Sequence, residues 1–132
     1  MAKLEELLVS GAALDRDLVA GALKPFVRID QETGAIRFTA AWHRVPNEPR
    51  IIAYLLARKA RVALGFDNAI EAASPSEIIK DTGIPKGSVH YAMKHMYEAR
   101  PQLVDKDASS CYWVPNWAVD GACEVLPDSA EE

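Results

Sequence analysis

The side chains best suited to chemistry lie between residues 80 and 100, where lysines, histidines and tyrosines follow one another at short spacing. Seven of them carry a hydrogen-bonding group or a positive charge: Lys80, Lys86, Ser88, His90, Tyr91, Lys94 and Arg100. Lysine and arginine contact phosphate oxygens, and hydroxyl, imidazole and ammonium groups also reach the edges of nucleic-acid bases. This set of residue types therefore favours binding to an anionic polymer.

The same stretch offers little for catalysis or for metal binding. His90 and His95 are five residues apart, so on a helix they point about 140° away from each other and cannot close on one metal ion. His43 stands alone, and the sequence contains no glycine-rich phosphate loop, nucleophile elbow or paired cysteine motif. We therefore expect no catalytic residue, no metal ion and no cofactor.

Two helices around a tight turn must position these side chains. Ser74 and Glu77 have the spacing of a capping box, and Pro75 already has the backbone angle of a first helical residue. Gly83 supplies the left-handed residue that commonly ends a helix. The pattern predicts a short first helix that ends at this glycine and a second helix that begins near Pro85.

The second helix, over residues 85–99, has two unlike faces when the residues are placed about 100° apart. One sector is apolar and contains Val89, Ala92, Met93, Met96 and Ala99, with Tyr97 at its edge. The opposite sector contains Gly87, His90, Tyr91, Lys94 and Glu98. A helix with one apolar stripe and one face of donors and a cation fits the major groove of DNA, which is about 12 Å wide.

Here the sequence resembles the winged helix-turn-helix superfamily of DNA-binding domains. The resemblance rests on four segments: Ser74-Pro-Ser-Glu-Ile-Ile, Thr82-Gly-Ile-Pro-Lys-Gly-Ser-Val, Leu103-Val-Asp-Lys-Asp and Cys111-Tyr-Trp-Val. It implies an α+β fold with a mainly helical winged helix-turn-helix domain over residues 46–126. It also implies double-stranded DNA as the partner and a role in transcriptional regulation. We expect a homodimer, because one recognition helix reads only a few base pairs.

Two other interpretations stay open. The two helices could form a hairpin of core helices with a solvated outer face. A winged helix could also serve as a protein–protein interaction or assembly module that does not bind DNA, a use that suits an acidic chain with three tryptophans. A basic patch around the second helix favours DNA, whereas a contiguous exposed apolar patch there favours a protein partner.

Residues 1–45 are predicted to form an extension made of helices and a β-hairpin. Residues 3–9 and 14–24 have helical spacing of their leucines, and Pro25 ends that pattern. Residues 26–30 and 35–39 then alternate between apolar and polar side chains, with a turn that ends at Gly34. A hairpin with one apolar face must pack on a helix or on a second subunit, so the hairpin and the last helix are candidates for the dimer surface.

The longest helix is predicted to follow its cap, Asn47, with Glu48 and Pro49 in its first turn and residues 50–64 along the rest of its length. Its polar residues form one stripe: Arg50, Tyr54, Arg58 and Arg61. The other positions are apolar or alanine, apart from Lys59. The stripe is expected either to face phosphates or to be a solvated face with weak ion pairs.

Residues 103–105 and 111–114 are predicted as the strands of the wing, joined by a loop whose sole cation is Lys106. A final helix is expected to begin at its cap, Asn116, and to end at Pro127, before an acidic tail over residues 127–132. Four of its residues are available for packing: Trp117, Val119, Ala122 and Val125. The three tryptophans, Trp42, Trp113 and Trp117, are expected in the core or at a subunit interface.

Chain length and charge limit the number of domains and the kinds of partner that this protein can have. A chain of 132 residues is one domain, or a small domain with an extension. Its net charge of −4 is unevenly spread, because residues 1–49, 50–100 and 101–132 carry −1, +3 and −6. The segment with the two helices is thus the positive one. Without a signal peptide or a membrane-spanning run, we expect a cytoplasmic protein in which Cys111 and Cys123 are reduced and partly buried.

Overall fold

The computed structural model describes residues 3–4 and 14–127, and this part of the chain is mainly helical with two small antiparallel sheets. Its helices are α1 (Arg16–Leu23), α2 (Ala40–His43), α3 (Asn47–Ala63), α4 (Pro75–Thr82), α5 (Lys86–Glu98) and α6 (Val119–Val125). Its strands are β1 (Val27–Ile29), β2 (Ile36–Phe38), β3 (Asp105–Lys106) and β4 (Tyr112–Trp113). The expectation of a mainly helical α+β fold is confirmed.

Helix α3 is the centre of the fold. Residues 51–59 are all buried, and the helix contacts α1, α4, α5, α6 and both strands of the first hairpin. Most of the hydrophobic core therefore forms around one helix. The helix begins earlier than expected, since Asn47 is its first residue rather than its cap. Pro49 has no N–H, so the first helical hydrogen bond is donated by Arg50 N to Pro46 O at 3.1 Å, and Pro46 holds the cap position.

Helix α1 and the first hairpin pack on one side of α3. The helix predicted over residues 14–24 is confirmed as α1, and its N-cap Asp15 accepts a hydrogen bond from Leu18 N at 3.1 Å. The helix predicted over residues 3–9 falls mostly outside the described residues. Val19 and Leu23 are the buried residues of α1, and they pack the helix against the hydrophobic core.

The first hairpin is confirmed with shorter strands than the sequence suggests. Val27 pairs with Phe38 and Ile29 pairs with Ile36, so the apolar side chains lie across from one another. Gly34 has φ +77°, and a β-carbon there would lie 3.0 Å from the ring of Phe66. This turn therefore needs glycine both for its backbone angle and for the close approach of the ring.

Helices α4 and α5 form the predicted pair around Gly83. The capping box is present, because Glu77 N donates to Ser74 Oγ at 3.1 Å and Ser74 N donates to Glu77 Oε1 at 3.0 Å. Gly83 adopts φ +75°, and its N–H donates to Ile79 O at 2.9 Å. Both predicted boundaries of α4 are thus confirmed, and α5 begins directly after Pro85.

The second sheet, formed by β3 and β4, also pairs with the segment just before α4. Strands β3 and β4 are shorter than the predicted 103–105 and 111–114, and they pair as Asp105 with Trp113 and Lys106 with Tyr112. Ala73 and Tyr112 also exchange two backbone hydrogen bonds of 2.8 Å. Ala73, the residue before the capping box, therefore forms an isolated antiparallel β-bridge with β4.

The last helix starts differently from the prediction. Residues 116–118 form a 3-10 turn closed by Ala118 N donating to Pro115 O at 2.9 Å, so Asn116 is the first residue of this turn and not a helix cap. A 3-10 turn has three residues per turn, and the 3.6-residue spacing assumed for Trp117 fails there. Trp117 is 62% exposed rather than packed, while Val119 and Ala122 are buried. Residues 128–132 of the predicted acidic tail lie outside the described residues.

Candidate nucleic-acid interface

Helix α5 separates an inner apolar face from an outer polar face, as its pattern predicts. Val89, Ala92, Met93 and Met96 are buried against α3 and α4, whereas Ala99 lies just past the end of the helix and is half-buried. The inner face fixes the rotation of the helix about its own axis. The side chains on the opposite side must therefore point away from the core.

Four of the predicted site residues share this outer face of α5: Lys86, His90, Tyr91 and Lys94. All four are exposed, and the ring of Tyr91 is 70% exposed. Among the residues that the structure describes, neither lysine forms a salt bridge, and neither does His90. The face thus presents cations and hydrogen-bonding groups that are not neutralised within the described chain.

Ser88 and His95 lie on the side of α5 that turns towards the start of α3. Ser88 is half-buried and lines a shallow groove of about 350 Å³ together with Glu48, Pro49 and Tyr91. His95 Nδ1 lies 2.6 Å from Glu48 Oε2, and its ring stacks on that of Tyr91 with 6.0 Å between the centroids. This contact ties α5 to α3 and places an acid at one edge of the cationic face.

Lys80 and Arg100 flank the pair of helices. Lys80 is exposed in the last turn of α4. Arg100 is exposed just past α5, where its Nη1 donates to Glu98 O at 3.2 Å and to Ala99 O at 2.9 Å. These bonds hold the guanidinium group close to the last carbonyls of α5, a position that its charge favours.

The second hairpin contributes little positive charge. Lys106 lies over the ring of Tyr97, with 4.8 Å between Nζ and the ring centroid, so its charge is directed back towards α5. Asp105 and Asp107 flank it along the chain. This hairpin therefore offers little positive charge to a phosphate.

The polar stripe of α3 is not a solvated face, because its two middle residues are buried and its two ends are half-buried against neighbouring segments. Tyr54 is 1% exposed and Arg58 is 4% exposed. Arg50 is half-buried over the ring of Trp42, which is itself buried, and Arg61 Nη1 donates to Gly34 O at 3.2 Å. A helical wheel gives angles around an axis but not which sides other segments cover. Here the segment before α4 covers Arg58, while Trp42 and the turn at Gly34 contact Arg50 and Arg61.

A buried hydrogen-bond network joins α3 to α4. Arg58 donates to Glu71 O at 3.1 Å, to Ala72 O at 2.7 Å and to the Tyr54 hydroxyl at 3.0 Å. The Tyr54 hydroxyl in turn donates to Asp81 Oδ2 at 2.5 Å. Burial raises the pKa of Tyr54, and this hydrogen bond to a carboxylate raises it further by a smaller amount. The network supplies donors to two carbonyls of the segment before α4 and so fixes α4, and with it α5, on the core.

A second buried cation supports the same segment. Lys59 Nζ lies 2.7 Å from Glu71 Oε2, and Lys59 is almost fully buried. Glu77 lies 3.7 Å from Arg58 and is also part of the capping box. The hydrogen bond from Ser74 N holds the pKa of Glu77 below its ordinary value; burial opposes this effect, and the charge of Arg58 lowers the pKa further by a smaller amount. Sequence reasoning missed these positioning residues, although a charged pair inside an apolar helix is a signal of buried partners.

Little else in the described chain is equipped for chemistry. Within residues 3–4 and 14–127, no group of three histidine, cysteine or acidic side chains could hold a metal ion. Cys111 and Cys123 are free and half-buried, and burial raises the pKa of the Cys123 thiol to about 11. Nor does any helix in this part of the chain have the length and apolar character needed to cross a membrane.

No family model, curated protein or solved structure matches the chain. The resemblance to winged helix-turn-helix domains therefore stays a prediction from the quoted segments.

Proposed function

We propose that this protein binds double-stranded DNA without catalysis, as a transcriptional regulator that inserts α5 into the major groove. One observation carries the proposal. Lys86, His90 and Lys94 lie exposed on one face of α5, and no acid of the described chain pairs with them. Exposed cations on a helix whose other face is packed in the core are suited to phosphates and base edges.

The surroundings of α5 support a recognition role. Gly83 forms a tight turn, and α4 packs directly on α5. Along the sequence, the elements follow one another as α3, the β-bridge at Ala73, α4, α5, β3 and β4. This is the order expected for a winged helix-turn-helix domain. The buried network around Arg58 holds α4 on the core, so the outer face of α5 is presented by a rigid base.

The proposal gives each side chain a task. Lys86 and the backbone amides at the start of α5 contact phosphate, where the helix carries partial positive charge. His90, Tyr91 and Lys94 reach base edges or neighbouring phosphates. Ser88 contacts DNA at the edge of the interface, because it is half-buried beside α3. Lys80 and Arg100 contact phosphates on either side.

A protein-interaction module is the alternative function. A docking surface on α5 would need a contiguous exposed apolar patch. Of the large exposed hydrophobic residues in the described chain, Tyr91 is the one that lies on α5. The exposed Trp117 instead supports a protein contact near α6, which fits the proposed homodimer better than a partner at α5.

The test is fluorescence anisotropy with a mixed-sequence DNA duplex across a salt series from about 50 to 200 mM. The variant carries Lys86→Ala and Lys94→Ala. The matched control carries Lys24→Ala and Arg37→Ala, which remove two exposed cations and change the net charge equally, but at sites just after α1 and in β2 rather than in α5. We expect weaker binding by the variant and a log–log salt slope shallower by about two, since each phosphate contact contributes about one unit.

Three results would contradict the proposal: no binding at the lowest salt concentration, unchanged binding by the α5 variant, or equal weakening by the control. Circular dichroism of all three proteins shows whether they are folded. If DNA binding is absent while the protein is folded, the protein-interaction module becomes the better explanation.

A further inference from the structure

A wide groove lies on the side of the molecule formed by α1, β1 and the end of α3. It has a volume of about 590 Å³. Its walls are largely apolar and include Val19 and Leu23 of α1, Val27 of β1, and Ala60 and Ala63 of α3. A volume of this size, with mostly apolar walls and a few polar groups, is typical of small-molecule sites.

The charged residues at this groove are mainly cations. Arg16, Lys24 and Arg28 line it, and Asp17 is the one acid among its described lining residues. The groove is therefore positive in a chain with a net charge of −4. That local excess of positive charge selects for anions.

Backbone carbonyls hold both guanidinium groups in place at the groove. Arg16 Nη1 donates to Ala63 O at 3.0 Å, at the end of α3. Arg28 Nη1 donates to Lys24 O and, at 2.9 Å, to Val27 O. Each guanidinium group has five N–H donors, so these bonds position the groups and leave further donors for a ligand.

We propose that this groove binds a small amphipathic carboxylate, with an aliphatic chain on the apolar walls and the carboxylate at Lys24 and Arg28, which lie together where the guanidinium group of Arg28 contacts the Lys24 backbone. The apolar walls favour the chain through the burial of apolar area. Guanidinium and ammonium groups favour the carboxylate through charge-assisted hydrogen bonds. The site lies on α1, β1 and the end of α3, so its existence does not depend on DNA binding by α5.

The test is isothermal titration calorimetry with dodecanoate below its micelle concentration. Dodecyltrimethylammonium, which has the same chain with the opposite charge, is the matched ligand. Lys24→Glu reverses one charge at the groove, and Ala20→Trp fills its mouth, because Ala20 lines the groove and is exposed. Lys94→Glu makes the same charge reversal at an exposed site on α5 that does not line the groove.

We expect one dodecanoate per chain and no comparable binding of the cationic ligand. Lys24→Glu should weaken binding about tenfold, the equivalent of one charge-assisted contact. Ala20→Trp should abolish binding, while Lys94→Glu should bind as the wild type does. Thermal unfolding of each variant confirms that it is folded, and dodecanoate should raise the melting temperature of the wild type and of Lys94→Glu but not of Ala20→Trp.

Several outcomes would overturn the proposal. Absence of dodecanoate binding to the folded wild type would do so, as would equal affinity for the cationic ligand, which would indicate an apolar surface without charge selectivity. Equal weakening by Lys24→Glu and Lys94→Glu would point to net charge rather than to this groove. A ligand-free dimer that Ala20→Trp dissociates would show that a second copy of the chain occupies the groove.

Discussion

At the residue scale, Tyr54 and Arg58, two of the buried polar residues of α3, show why a hydrogen-bonding side chain can lie in an apolar core. Arg58 is surrounded by two carbonyls, the Tyr54 hydroxyl and the carboxylate of Glu77, and Tyr54 reaches Asp81. Each donor that is removed from water finds an acceptor, so the cost of burial is offset. The result is a polar clamp between α3 and α4, made by side chains that resemble a surface stripe in the sequence.

Tyr54→Phe should destabilise the protein by about 1–2 kcal/mol, because it removes the hydroxyl that joins Arg58 to Asp81 without changing the packing of the ring. Urea unfolding followed by circular dichroism measures the change. Tyr91→Phe is the matched control, since Tyr91 is 70% exposed and should change stability by less than about 0.5 kcal/mol. Equal free energies of unfolding for the two variants would mean that the hydroxyl of Tyr54 contributes nothing to stability.

At the scale of the elements, the turn between α4 and α5 depends on one backbone angle. Gly83 has φ +75° and Gly87 has ordinary helical geometry, and a β-carbon would meet nothing within 4 Å at either position. Gly83→Ala should therefore cost about 1 kcal/mol through backbone strain alone. Gly87→Ala should stabilise the protein by about 0.5 kcal/mol through its higher helix propensity. Urea unfolding of both variants checks the opposite signs, and two changes of the same sign would contradict this account.

The capping box of α4 should make stability depend on pH. The bond from Ser74 N, followed by the charge of Arg58, lowers the pKa of Glu77 in the folded state. As the pH falls below 4.5, the ordinary pKa of this carboxyl, the unfolded chain therefore takes up the proton first, and folding loses stability. Glu77→Gln should lower stability at neutral pH and flatten this decline.

Urea unfolding between about pH 3 and pH 7 measures the effect. Ser76→Ala, at the exposed neighbouring position in α4, is the control and should follow the wild-type curve. A Glu77→Gln protein with the same pH dependence as the wild type would exclude a contribution of the capping box.

At the scale of the whole molecule, the distribution of charge and exposed apolar surface separates two regions. The outer face of α5 is cationic, whereas Trp117, the most exposed tryptophan, lies next to α6. In the proposed homodimer, this second region contacts the other copy and leaves α5 free for DNA. A large aromatic side chain is the residue type that contributes most to such contacts.

Trp117→Ala should therefore shift the protein from dimer to monomer at a given concentration. Sedimentation equilibrium over a concentration series measures the dissociation constant, which should rise about tenfold or more for a central aromatic contact. Tyr91→Ala, which removes an exposed aromatic ring from α5, is the control and should leave the dimer unchanged. A monomeric wild type would contradict the proposed interface, and so would a dimer whose dissociation constant is unchanged by Trp117→Ala.

Local patterns in the sequence determined much of this protein. The capping box at Ser74, the left-handed Gly83, the turn at Gly34 and the inner face of α5 follow from interactions within a few residues of the chain. Short-range hydrogen bonds and helical spacing depend on neighbours that the sequence itself specifies. The outward direction of Lys86, His90 and Lys94 follows from the same spacing.

Only the tertiary structure decided which polar residues are covered. Arg58 and Tyr54 are buried because residues 71–77 pack over α3, Lys59 is buried beside Glu71, and Trp117 is exposed because a 3-10 turn replaces the expected helix start. The groove beside α1 likewise depends on elements far apart in the chain. Burial is set by contacts between such distant segments, and periodicity along one helix contains no information about them.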